Sequence, residues 1–168
     1  MPLVTVNPTS NSSPDAGQGG LAVTGASNLG HSSTTSSAVG ATSVLKTCKW
    51  TGFVRPAGQI SAVTLKVGWN RTGALSDGGI DTSNEFAIDY SLNGGSSWTN
   101  LRDDVNVTSS SNGTDSVILS ASQVISQVQV RDSLHATSNA GNSASSTATV
   151  SAIRLEIQVS SAHLIAII

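Results

Sequence analysis

The sequence predicts an all-β chain: a single antiparallel β-sandwich of about eight strands, joined by jelly-roll connections. Three observations predict it. Apolar residues recur at every second position in several separate runs, which marks strands with one face on a core and one in water. The runs are short, and Gly, Pro, Asn and Ser clusters break them. No stretch repeats its apolar residues at helical spacing, and no internal repeat calls for a solenoid or propeller.

The clearest run is Glu85–Leu101. Phe86, Ile88, Tyr90 and Leu92 alternate with Ala87, Asp89, Ser91 and Asn93. Asn93-Gly94-Gly95 then supplies residues that tolerate positive φ, as a tight reversal requires. Trp98 and Leu101 begin the return strand.

Before this hairpin, Leu3-Val4-Thr5-Val6 alternates briefly, and Asn7-Pro8 and Ser13-Pro14 break it. It is read either as an edge strand of the domain or as an arm adding a strand to a neighbouring subunit. Residues 21–43 carry little pattern, and His31 reads as a surface residue. The expected division is therefore residues 1–43 as a loop-rich arm and residues 44–168 as the sandwich.

Within the sandwich, Val44, Lys46, Cys48 and Trp50 share one parity, and Lys49 lies on the other face with Leu45 and Thr47. Val63, Leu65, Val67 and Trp69 form a second strand. Asn70–Asn84 reads as a long polar loop, and Ser109–Gly113 as a turn followed by a short strand at Val117–Leu119. Val124, Val128 and Val130 suggest a strand ending at Arg131, and Ser133–Ser146 a small-residue loop. Ile153, Leu155, Ile157 and Val159 form the third strong strand. Leu164–Ile168 is apolar on both faces and calls for burial, within the subunit or against a neighbour.

Composition narrows the function. Only 11% of the 168 residues are charged and the net charge is −2, which lacks the basic stripe of a nucleic-acid surface. Ser, Thr, Asn and Gly dominate the polar positions, as in secreted β proteins, adhesins and virus fibres. Cys48 is the one cysteine; it forms no internal disulfide and reads as a buried thiol. No long apolar run suggests membrane insertion, and the first residues do not read as a signal peptide.

Catalysis finds no support. Acids are scattered, the histidines lie far apart, and no nucleophile-elbow, zinc-protease or phosphate-loop pattern occurs. The chain is expected not to be an enzyme and to need no cofactor. Asp77, Asp81 and Glu85, around two glycines, form a weak calcium candidate without EF-hand spacing. Asn11, Asn70, Asn106 and Asn112 begin glycosylation sequons, which matter only in a glycosylating pathway.

Glycans are bound by aromatic faces against C–H surfaces and by polar groups at hydroxyls. Trp69 and Tyr90 share parity with core positions, so burial accounts for them. Trp98 is the exposed candidate, with Asn93 and Arg102 beside it in sequence.

Tyr90-Ser91-Leu92-Asn93-Gly94-Gly95-Ser96-Ser97-Trp98 resembles the Asp-box hairpin of sialidases and related β proteins, Ser-x-Asp-x-Gly-x-Thr-Trp. Asn93 stands at the Asp position and Ser97 at the Thr position, and the register after them departs slightly. The resemblance implies a structural hairpin rather than a catalytic element. The strand layout is similar to jelly-roll carbohydrate-binding and discoidin-like modules, which is analogy at the level of fold.

Two functions are expected to compete. The first is a structural subunit of an extracellular assembly, such as a capsid, tail, fibre or filament protein. It would self-associate through Leu3, Val4 and Val6 and through Leu164, Ile165, Ile167 and Ile168. The second is a carbohydrate-binding or adhesion module using Trp98, Asn93 and Arg102. Both place the chain outside the cell or on a virion, with itself or glycans as partner.

Overall fold

A computed structural model describes residues 1–12, 31–36, 42–76, 82–139 and 142–160. They form two antiparallel sheets packed face to face, a β-sandwich. Ten strands lie among the described residues: β1 (Leu3–Val6), β2 (Ser10–Ser12), β3 (His31–Ser36), β4 (Thr42–Thr51), β5 (Gln59–Leu75), β6 (Thr82–Ser91), β7 (Thr99–Val105), β8 (Ser111–Leu119), β9 (Gln129–Ser138) and β10 (Ala144–Ser160).

One sheet runs β1-β10-β5-β8, with β3 also on β10. The other runs β2-β4-β9-β6-β7. From β3 to β6 each strand lies in the sheet opposite its predecessor, so the chain stitches the two layers together at every step. The first strands belong to this scaffold. β1 pairs with the second half of β10, from Leu3 opposite Gln158 to Val6 opposite Leu155, and β2 pairs with β4.

The core sits where alternation is strict. Val63, Leu65 and Val67 of β5 and Leu155 and Ile157 of β10 are fully buried, against Trp50, Phe86 and Leu134 from the facing sheet. β10 carries a bulge at Ala152-Ile153, where Ala152 takes φ 50°. The extra residue lets Ile153 enter the core as well, at 2% exposure.

Several elements differ from expectation. β5 continues through Asn70 to Leu75, where a loop was expected, and pairs with Ala144–Val150 of β10. β9 runs on to Ser138 and β10 begins at Ala144, so most of the expected Ser133–Ser146 loop is strand. β8 already begins at Ser111, and β3 occupies part of the uninformative N-terminal region. These extensions are rich in Thr, Ser, Gly, Asn and Ala, with few large apolar residues beyond Leu75 and the buried Leu134. The backbone ladder satisfies itself whether or not the side chains alternate in hydrophobicity.

The expected strand from Val124 is instead a 3-10 turn, Ile125–Gln127, before β9. Ile125 and Val128 are buried and Val124 is exposed. A three-residue turn places positions i and i+3 on one side, which explains the parity break.

Candidate functional site

β4 and β9 are neighbours, and their register sets Lys49 opposite Arg131, Thr47 opposite Ser133 and Cys48 opposite Asp132. Because side chains alternate, Cys48 and Asp132 point into the sandwich. Thr47, Lys49 and Arg131 share the outer face.

Asp132 is fully buried, and its Oδ1 accepts a hydrogen bond from the Cys48 backbone N–H at 3.0 Å. Burial raises its pKa well above the ordinary carboxylate value, against the opposing pull of that bond. Burial, helped by the Asp132 carboxyl, also pushes the Cys48 thiol up to about 12. Such a thiol is un-ionised at neutral pH and is no nucleophile.

The Tyr90–Trp98 hairpin overhangs this outer face. Asn93 knots its loop: Oδ1 accepts the Ser91 hydroxyl and the Ser97 N–H, each at 2.9 Å, and Nδ2 donates to Ser97 Oγ at 2.8 Å. Ser91 Oγ accepts the Gly95 N–H at 2.9 Å. Gly94 and Gly95 take φ 71° and 89°, which the reversal requires. A Cβ on Gly95 would lie 2.8 Å from Gln129 Oε1, so that side chain would have to shift.

The knotted loop delivers Trp98 over Arg131, whose guanidinium carbon lies 4.4 Å from the ring centroid. Arg131 Nε donates to Asp89 Oδ2 at 2.9 Å, so the guanidinium is held from two sides. Between hairpin and sheet opens a cleft of about 360 Å³, lined by Ser12, Thr47, Cys48, Lys49, Gly95, Trp98 and Arg131.

Of the glycan candidates, the structure brings Trp98 and Asn93 into one hairpin. Trp98 borders the cleft; Asn93 serves the loop. Arg102 lies elsewhere, on β7 at the seam between the sheets. It stacks 3.7 Å above the Trp69 ring and forms ion pairs with Asp104 and Asp115, both at 2.6 Å. Arg71 of β5 joins Asp104 at 2.7 Å. Burial opposes charge on Arg102, but its hydrogen bonds to Asp115 and Asp104 outweigh this and raise its pKa. Burial likewise opposes charge on Asp104, yet the bonds from Arg102 and Arg71 leave it below the usual range.

Leu3 is exposed, whereas Val4 and Val6 pack on the core of their own subunit. Leu164, Ile165, Ile167 and Ile168 lie outside the described residues, as do Asp77 and Asp81. Glu85 sits half-buried on β6, opposite His135. Among the described residues, no three His, Cys, Asp or Glu side chains are grouped to hold a metal ion.

The sequence missed Ser12, Thr47, Lys49 and Arg131 as a group. Strand parity places Lys49 and Thr47 on an outer face. Their meeting with Arg131 depends on β4–β9 register across more than eighty residues of chain.

No protein-family model matches the chain, and no curated protein matches it. Among solved structures it is similar to the N-terminal cellulose-binding domain of β-1,4-glucanase C from Cellulomonas fimi. The identity is 12% and the TM-score 0.31, over 80% of this chain and 81% of that one. This is a distant likeness.

Proposed function

We propose that the chain is a non-catalytic glycan-binding module working outside the cell, with a saccharide seated in the cleft against Trp98. The observation that carries this reading is the placement of Trp98. Trp50 and Trp69 are spent on the core, whereas Trp98 is half-exposed at the mouth of a concave site lined by hydroxyls and cations. An indole takes the C–H face of a sugar, and Ser12, Thr47, Lys49 and Arg131 offer hydrogen bonds to its oxygens. The cleft is preformed, because the Asn93 knot and the Arg131 stack hold the ring.

Assembly through the chain ends is the competing reading. Its N-terminal part draws on β1, which already completes a sheet of its own sandwich.

The test is a glycan array with the intact chain beside Trp98→Ala, followed by calorimetry on any hit. Binding that weakens at least about tenfold in the variant, with unchanged melting, is the expected result. A folded protein silent across the array, or hits indifferent to Trp98→Ala, would overturn the proposal.

A further inference from the structure

We infer that the cleft takes a carboxylate-bearing saccharide, a uronate-type sugar, rather than a neutral one. This rests on the glycan-binding reading and names its ligand class. Lys49 and Arg131 are direct cross-strand partners on one face. Like charges at that spacing repel and cost stability in an isolated sheet. Asp89 answers only one of them, through Arg131 Nε at 2.9 Å. Lys49 has no ion-pair partner among the described residues, in a chain with more acids than bases. Elsewhere most described cations are paired, Lys66 and Arg154 with Glu156, Arg71 with Asp104, and Arg102 with two aspartates, while Arg55 stands alone and donates to the Gly58 carbonyl. The cleft is the place where two described cations lie side by side with one carboxylate between them.

The geometry favours a carboxylate in particular. A guanidinium is a planar fork that accepts a carboxylate through two parallel N–H bonds. Arg131 is already oriented by the Trp98 ring and by Asp89. Its terminal amino groups make no hydrogen bond among the described residues, and Arg131 is one of the residues that line the cleft. Lys49 adds a point charge beside the fork. A pyranose carrying a carboxylate can lay its ring along Trp98 while its acid group reaches both cations.

Three hexasaccharides of equal length separate the outcomes: oligogalacturonate, a sulfated neutral oligosaccharide and an unsubstituted gluco-oligosaccharide. Each is titrated into the intact chain, Lys49→Gln, Arg131→Lys and Trp98→Ala, at low and at 0.5 M salt. Arg154→Gln, on the opposite sheet, controls for loss of a charge. The expected result is a preference for the uronate of at least tenfold, with affinity falling as salt rises. Lys49→Gln and Arg131→Lys should each lose most of that preference. Arg131→Lys keeps the charge and removes the fork, so its loss reports geometry. Equal, salt-independent binding of the neutral sugar would overturn the inference and leave the glycan-binding reading standing. Preference for the sulfated sugar, indifferent to Arg131→Lys, would overturn the carboxylate assignment. Failure of all three ligands with folded protein would overturn both readings.

Discussion

Asp132 is the acidic side chain that the fold removes completely from solvent among the described residues. Its folded pKa is raised, so the native state keeps a proton that the unfolded chain releases above about pH 4. The unfolded state then binds fewer protons, and stability falls as pH rises from about 4 toward the folded pKa. The slope reaches at most about 1.4 kcal/mol per pH unit for one group. Asp132→Asn retains an oxygen to accept the Cys48 N–H and removes the titration. Urea unfolding at pH 5 and pH 7.5 should show the parent losing stability relative to this variant at the higher pH. Parallel losses would mean that the carboxyl is ionised inside. Gly73 makes a second sharp case. A Cβ there would lie 2.6 Å from the Val107 carbonyl oxygen and 2.7 Å from Asn84 Nδ2. Asn84 is itself buried, and its Nδ2 bonds the carbonyls of Val107 and Ser145, both at 2.8 Å. Gly73→Ala should therefore cost about 2 kcal/mol or more by displacing a buried polar fastening, measurable as a lowered urea midpoint.

At the scale of elements, the hairpin tests how its loop is built. Asn93→Ala deletes both acceptor bonds of Oδ1, whereas Asn93→Asp keeps them. The alanine variant should lose about 1–3 kcal/mol and the aspartate variant less, with glycan affinity following the same order, since the loop carries Trp98. Equal behaviour of the two would show that the glycines alone fix the turn. This hairpin was legible in the sequence because three local signals agree: period-two strands, a positive-φ reversal and the Asn93–Ser97 pattern. The strong strands of β5 and β10 were legible for the same reason in their apolar halves, Val63–Trp69 and Ile153–Val159. Their other halves were not. In Asn70–Leu75 and Ala144–Thr149 the strands are held by ladder pairing, which leaves little mark on residue type where small and polar residues predominate. The candidate site was half-legible. Trp98 stands out because it follows a turn, but Arg102 is only four residues farther and faces a different neighbour. Proximity in sequence ceased to mean proximity in space because Trp98 borders the outer-face cleft, whereas Arg102 on the edge strand β7 takes the inward parity at the seam.

Across the whole molecule, two sheets must close an edge where β7 and β8 end their layers. The chain does this with charge. Arg102 and Asp104 of β7 take the inward parity opposite Ile88 and Phe86, and Asp115 of β8 does so opposite Val67. With Arg71 of β5, which pairs with Asp104, four charged groups, two from each sheet, meet beside Trp69, which lies above Gly113 and beside Phe86. A large aliphatic pair could close the same edge, but a guanidinium both covers the indole and pays its desolvation through two carboxylates. Removing only the cation should be the damaging change, because Asp115 loses its partner and Trp69 its cover. Arg102→Ala is expected to cost about 2 kcal/mol, less than for a fully buried pair because the side chain keeps 21% exposure. It should also shift Trp69 emission to the red. Asp104, held below its usual pKa, contributes stability above about pH 4 that is lost as pH falls through its folded value. The variant should therefore flatten the acid limb of the stability profile as well as lower its plateau. A lowered plateau with the acid limb intact would assign the cost to packing on Trp69 alone. Unchanged stability and emission would mean that the seam is solvated surface, and that the apolar core alone holds the two sheets together.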